Sequence, residues 1–322
     1  MPCPDESDMT DFQNKFLVDE MSYDREQQVS LHSSLLEKLT AEQRHTYDHI
    51  ITVVYSNLGG FFVLYGYGGT GKTFVWNTLS AALRLKGSVV LNVASSRIAS
   101  LLLPGGKTAH STFCIPFVTN EESTSNIRQG SLKAKLLLHA KLIIWDEAPM
   151  LSRHCFEAVD RTLRDIMRVQ CEENSERPFG GKVVVLGGDF CQILPVIRKG
   201  TRHDIVSAAV NSSHIWESCV VLRLSTNMRL NVGVTSEDHA ATKEFADWTL
   251  QLGEGSNESH ENGASEVQIP SDLLINGCKN PLHSLVDFTY PELLQNHASP
   301  TFYGSYFWHC SCASNGVRAV TF

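Results

Sequence analysis

The stretch Gly66-Tyr67-Gly68-Gly69-Thr70-Gly71-Lys72-Thr73 decides the fold of this 322-residue chain. It follows an apolar run of strand length, Phe61 to Tyr65, and opens a helical segment that runs to Lys86. Strand, glycine loop, Gly-Lys-Thr and helix is the arrangement that a triphosphate cradle needs. Glycines let the backbone turn its N–H groups onto phosphate oxygens where a side chain would collide. The helix N-terminus adds the positive end of its dipole. Lys72 brings a full charge to the β- and γ-phosphates, and the Thr73 hydroxyl can ligate Mg²⁺.

Outward from the loop, short apolar runs alternate with helical periods. Strands are expected at Phe61–Tyr65, Val89–Val93, Leu142–Trp145, Val183–Leu186 and Val220–Leu224. Helices are expected at Lys72–Lys86, Ser96–Leu103, Ser131–His139 and Ser152–Val169, and another from Leu39 to the Gly59-Gly60 pair. Strands apolar along their whole length are those covered on both faces. The rhythm predicts an α/β fold, a doubly wound, mostly parallel sheet with helices on both faces. Ligands bind at the C-terminal ends of such strands, where the glycine loop, Asp146 and Asp189 all fall. Ala240–Leu252 reads as a helix with Phe245, Trp248 and Leu252 on one stripe, and 253–266 as a linker or insertion.

The strand Leu142-Ile143-Ile144-Trp145 ends in Asp146-Glu147, 74 residues after Lys72. In a phosphate-loop site the first acid holds Mg²⁺ and the second polarises the attacking water. Gly187-Gly188-Asp189 follows another apolar strand. Gln192 beyond it can orient water and sense the terminal phosphate, or the stretch is a tight turn alone. Gln43 has two readings. With Thr40 it forms a capping-box pattern, or its amide pairs with the adenine edge. Arg229 either reaches the γ-phosphate or sits in a solvated surface pair. Thr108-Ala109-His110-Ser111-Thr112-Phe113 offers donors beside aromatics. His110, Ser111 and Phe113 can grip single-stranded nucleic acid by hydrogen bonding and stacking, or the segment is a loop entering the core.

The net charge of −8 is unevenly spread. Residues 27–230 hold 22 bases against 16 acids, while 1–26 and 231–272 are acidic. A basic centre suits a phosphate backbone. No apolar run approaches the roughly 20 residues that cross a bilayer, so no membrane partner is expected. The N-terminus lacks a secretory apolar region, and an intracellular protein is expected. Nine cysteines are scattered without a CxxC pair, as in proteins that keep their thiols reduced. Only His309-Cys310-Ser311-Cys312 hints at a metal cluster, and weakly.

Taken together, Leu39-x-x-Glu42-Gln43, Gly66–Thr73, Ala94-Ser95-Ser96-x-Ile98-Ala99, Pro104 to Phe113, Ile144 to Met150 and Gly187 to Val196 resemble the petite-integration-frequency (Pif) DNA helicases. These are relatives of RecD in superfamily one, and the variant resembled is the plant, Helitron-like one. Cys155–Asp165 and Val286-Asp287-Phe288-x-Tyr290-Pro291 fit the same variant. The resemblance covers about residues 35 to 296. It implies a RecA-like lobe and an ATP- and Mg²⁺-dependent motor moving 5′ to 3′ on single-stranded DNA or DNA junctions. It implies a monomer and a nuclear location, with roles in replication, repair, recombination or telomere upkeep. Gln43 would read adenine, and Gly66, Gly68, Gly69, Thr70, Gly71 and Lys72 the phosphates. Thr73 and Asp146 would place Mg²⁺, Glu147 would activate water, and Gln192 and Arg229 would sense the γ-phosphate.

Two positions depart from the pattern: Arg97 stands in place of Gly and Cys191 in place of Arg. The expected organisation is an acidic, disordered or loosely docked tail at 1–34, an ATPase lobe at 35–224, and the start of a second lobe with an acidic insertion at 225–296. A non-family tail without a clear period fills 297–322. The family would run on after Pro291, so a truncated second lobe is expected. That leaves a second reading, a single lobe that holds nucleotide and DNA without unwinding. A small-molecule kinase is disfavoured by the Asp146-Glu147 pair with Gln192.

Overall fold

Six strands hydrogen-bond in the order β3-β2-β4-β5-β1-β6, every pairing parallel. They are β1 Gly60–Tyr65, β2 Val89–Ala94, β3 Lys107–Thr108, β4 Ala140–Asp146, β5 Val183–Gly188 and β6 Cys219–Arg223. The structure is a computed structural model that describes residues 14–190, 192, 194–228, 236–254, 269, 280–290 and 292–296. The five expected strands are present. The two-residue β3 is too short to leave a period in the sequence.

Helices cover both sheet faces. In chain order they are α1 Lys15–Met21, α2 Arg25–Glu37, α3 Ala41–Ser56, α4 Lys72–Arg84, α5 Arg97–Ser100, α6 Ala109–Phe113, α7 Leu132–His139, α8 Arg153–Met167 and α9 Arg202–Ala208. One apolar core lies beneath α7 and α8 and includes Phe113, Trp145, Phe156 and Phe179. The other lies beneath α3 and α4 and includes Ile50, Leu64, Trp76, Leu79 and Ile144. Period-two alternation sends Trp145 to one core and Ile144 to the other, which is why β4 reads as continuously apolar.

Two expectations change. Ser96–Leu103 is helical only over α5. Its Ser96 cap is intact, but three-residue turns carry the chain from Leu101 to Leu103 and into Pro104. Within the tail 1–34, expected to be disordered or loosely docked, two capped helices form, α1 and α2, the second running on to Glu37. Asn14 and Asp24 cap them, Leu17 is buried, and Glu20 is buried in an ion pair with Arg84 at the end of α4. Local polarity hid a docking surface that exists only once α4 is in place.

The chain divides into two compact units, 1–228 and 229–322. The described part of the second holds α10 Ser236–Glu254, α11 Pro281–Thr289 and α12 Leu293–Asn296. In α10 the Phe245 and Trp248 rings stack at 5.7 Å. The expected linker at 253–266 begins inside α10, which runs to Glu254; the rest of it, the expected tail at 297–322 and the His309–Cys312 cluster lie outside the described residues.

Candidate nucleotide site

The glycine loop joins β1 to α4. Gly71 stands at the helix N-cap with φ +80°, and no side chain caps the helix, so the first-turn amides face the loop. A Cβ at Gly71 would fall 2.4 Å from Nε2 of Gln43. The loop therefore needs glycine there for both the backbone angle and the space. Gly68 has open space where a Cβ would be. Thr70 is buried, and its hydroxyl donates to the Tyr67 carbonyl at 2.9 Å. The Lys72 ammonium donates to the carbonyls of Gly66 and Tyr67. Thr73, half-buried, is the second residue of α4.

Gln43 makes the capping box: its N–H donates to Thr40 Oγ1 and its Oε1 accepts from the Thr40 N–H. The same amide donates from Nε2 to the Thr70 carbonyl at 3.0 Å. Of the two readings from sequence, the structure contains the cap, and it ties α3 to the loop.

Tyr65, Leu186 and Trp145 sit near the C-terminal ends of three adjacent strands, with Trp145 paired to Leu186 and Tyr65 to Gly188. Only β5 separates the glycine loop from Asp146-Glu147, and two strand spacings are about 10 Å. β5 ends in Gly187-Gly188. A Cβ at Gly187 would lie 2.4 Å from the Trp76 ring and 2.9 Å from Asp146 Oδ1.

Asp146 is 5% exposed, and its Oδ1 has no hydrogen-bond partner among the described residues. Burial raises its pKa, and the nearby Trp76 indole N–H and then the charge of Lys72 oppose the rise. A buried carboxylate oxygen without a partner is costly unless a cation or donor meets it, so Asp146 fits a Mg²⁺ ligand. Glu147 lies just past the strand at φ 52°, a left-handed angle rare for a non-glycine residue. Its pKa is raised by burial and by the charges of Asp146 and Asp189, with Lys72 opposing. Lys72 and three carboxyl groups thus share one electrostatic neighbourhood. Asp189 is buried, and its carbonyl accepts from the Gln192 N–H at 3.2 Å.

Arg229 lies outside the described residues. The preceding residues reveal a contact that the sequence reading missed. The Met228 N–H donates to the Gly69 carbonyl at 2.9 Å, and the Tyr67 hydroxyl donates to the Ser225 carbonyl. Glu42 accepts from the N–H groups of Ser225 and Thr226 and from the Ser225 hydroxyl. That hydroxyl and the backbone donors hold the Glu42 pKa below the usual range. Residues 225–228 are thereby clasped against the loop. The one sequence signal was Glu42 beside Gln43.

The nucleic-acid candidates separate. Phe113 is 1% exposed and stacks on Trp145 at 5.3 Å, so it belongs to the core and cannot stack on a base. The amphipathic turn of α6 points it inward. His110 instead stacks on Phe117 at 6.2 Å with an 18° tilt, and Phe117 is 98% exposed. Burial lowers the His110 pKa, which favours the neutral ring. Ser111 is exposed, and its carbonyl accepts from Lys133 Nζ at 2.6 Å.

The model of the family described as PIF1-like helicase matches residues 38–263. This chain belongs to the PIF1-like helicase family. The Campylobacter jejuni ATP-dependent DNA helicase Pif1 is 33% identical over 143 residues, 42% of this chain and 29% of that protein. The Trypanosoma brucei ATP-dependent DNA helicase PIF1 is 28% identical over 225 residues, 70% of this chain and 20% of that protein. Among solved structures, Bacteroides Pif1 bound to single-stranded DNA is similar with a TM-score of 0.51 and 26% identity, over 67% of this chain and 46% of that one. This PIF1-like chain spans less than a third of the length of these two curated relatives. No helix among its described residues is long and apolar enough to cross a membrane.

Proposed function

We propose that this PIF1-like chain carries the ATP-hydrolysing lobe of a DNA helicase that moves 5′ to 3′ on single-stranded DNA. The observation that carries the proposal is that the glycine loop after β1 and the Asp146-Glu147 pair at the end of β4 stand one strand apart, on either side of the Gly187-Gly188 end of β5.

Lys72 exchanges its loop carbonyls for phosphate oxygens. The uncapped start of α4 donates its amides to the same phosphates. Thr73 and Asp146 would hold Mg²⁺, which when bound would neutralise phosphate charge. Glu147, its pKa raised by burial and by the neighbouring carboxylates, takes the proton of the attacking water. Gln192 and Arg229 sense the γ-phosphate. Gln43 contacts adenine with its amide while anchoring Thr70. Phe117, exposed and stacked on half-buried His110 in the basic central stretch of the chain, offers a stacking surface for DNA bases. A Helitron-like origin, monomeric action, DNA junctions as partners, work in the nucleus and roles in repair, recombination or telomere upkeep follow from the resemblance alone.

The test uses the full chain, Mg²⁺ and labelled ATP, with and without single-stranded DNA. Wild type takes up nucleotide saturably, and DNA raises turnover. Lys72→Ala loses uptake. Glu147→Gln keeps uptake but loses hydrolysis by about 100-fold or more, the scale of general-base removal. Absence of saturable uptake by the wild type sinks the ATPase reading. Hydrolysis indifferent to DNA, together with no DNA binding, sinks the helicase reading.

A further inference from the structure

Glu147 holds a backbone angle of φ 52° and ψ 38°, in the left-handed region. A non-glycine residue stays there only where its neighbours fix it. The Glu147 side chain does not cap the turn Ala148–Met150 that follows, and the Met150 N–H reaches the Glu147 carbonyl at 3.4 Å. That is long for such a bond. The firmer hold lies on the other side of Glu147.

The Asp146 carbonyl belongs to the peptide group that joins Asp146 to Glu147. It accepts from the Ser95 N–H at 3.1 Å. This bond extends the β2–β4 ladder one step past Ala94, which is paired with Asp146. Ser95 makes a second contact with the same strand end. Its hydroxyl accepts from the Trp145 indole N–H at 3.2 Å. One residue thus holds two successive residues of β4, one through its side chain and one through its backbone.

The indole is itself fixed. Trp145 is fully buried, and its ring stacks on Phe113 at 5.3 Å and packs against Phe156 at 4.6 Å. A ring locked by packing presents its N–H in one direction. Half-buried Ser95, at the C-terminal end of β2, therefore meets a rigid donor. The peptide that Ser95 holds sets the direction of Glu147. Misplacing a reacting group by about 1 Å can cost about 100-fold in rate.

We propose that Ser95 and Trp145 form a clamp that positions Glu147 against the attacking water. The proposal rests on the reading of Glu147 as the general base. The Trp145 indole holds the Ser95 hydroxyl, and the Ser95 N–H holds the Asp146–Glu147 peptide. Both are positioning residues, acting through the backbone of Glu147.

The test compares the full wild-type chain with Ser95→Ala, Trp145→Phe and the double variant. Ser95→Thr, which keeps a hydroxyl, is the conservative control. Amide exchange at residue 95 is followed by NMR in the nucleotide-free chain. It quickens about two- to tenfold in Ser95→Ala and in Trp145→Phe, the fold-change of one neutral hydrogen bond. Turnover of Mg·ATP falls in kcat by a similar factor, while KM stays within about twofold. The double variant loses no more than the larger single loss, because both changes remove one interaction. Ser95→Thr exchanges and turns over as the wild type does. Reduced stability with unchanged exchange and kcat would mean a merely structural bond and overturn the proposal. Additive losses in the double variant, or a rise in KM alone, would overturn it too. If Trp145→Phe does not fold, exchange and kcat in Ser95→Ala decide. Undiminished turnover by Glu147→Gln would sink the base reading and the positioning role with it. The exchange measurement needs no nucleotide and reports on the clamp separately.

Discussion

Gly187 has no room for even one more carbon. The Trp76 ring and Asp146 Oδ1 occupy the space its Cβ would take. Gly187→Ala should cost about 1–3 kcal/mol through overpacking and weaken Mg·ATP uptake by displacing Asp146. Thermal unfolding and nucleotide titration measure both, and an unchanged variant would show that the ring yields freely. Lys182 is a second residue with a readable consequence. It is buried, its ammonium donates to the carbonyls of Leu138 and Ala140 at the end of α7, and burial pushes its pKa down to about 8. The folded state sheds this proton before the unfolded chain does. Stability contributed by Lys182 therefore rises as pH climbs from about 8 to 10.5, by at most about 3 kcal/mol. Cys219 and Tyr47, both pushed up to about 12, act in the opposite sense from about pH 9 and 10 upward, overlapping that window. The measurement is thus a difference: denaturant titrations of wild type and Lys182→Met, with the rise present only in wild type. Phe113 and Phe117 show where sequence reading stopped. Phe113 follows Thr112 and Phe117 follows Pro116, and spacing alone does not separate them. Phe113→Ala should cost about 3–5 kcal/mol as a core deletion. Phe117→Ala should leave stability within about 0.5 kcal/mol and weaken single-stranded DNA binding by about 1–3 kcal/mol, one stacked base. Equal stability losses in the two variants would contradict their assigned burial.

Among elements, the α1–α2 pair depends on a partner far along the chain. Glu20 and Arg84 form a buried ion pair at 3.3 Å, and the Arg84 guanidinium lies 3.8 Å over the Tyr23 ring. Removing one partner strands the other charge in the interior. Glu20→Ala should cost about 3–5 kcal/mol, and amide exchange should quicken across 15–37 before it does in β1 or β4. Uniform quickening would mean that the pair is part of the global fold rather than a docked element. The stretch 225–228 is held by another remote residue, Glu42. Glu42→Ala should speed exchange at the amides of Ser225 and Thr226 while leaving the capping box of α3 intact. Helix starts were legible because their caps are local: Thr40, Ser131 and Ser152 each precede a periodic run. The shortness of α5 was not, because its end is set by Pro104 and by how the turn packs.

For the whole molecule, the charge pattern and the sheet speak to one arrangement. A basic centre and a parallel sheet covered on both faces, with the glycine loop at the C-terminal end of β1, agree with the proposed phosphate chemistry at the strand ends. Sequence alone determined the strand and helix rhythm, the phosphate-loop chemistry of Gly66–Thr73 and the carboxylate pair that ends β4. Each is encoded within a dozen neighbouring residues, through backbone angles, period and capping. Only the tertiary structure decided that β5 would separate loop and carboxylates, that Gln43 and Glu42 would tie α3 to the loop and its clasp, and that Phe113 would be buried while Phe117 stands in solvent. It alone docked α1 and α2 onto α4. Those outcomes depend on burial and pairing between residues tens to hundreds of positions apart, and no local pattern carries that information.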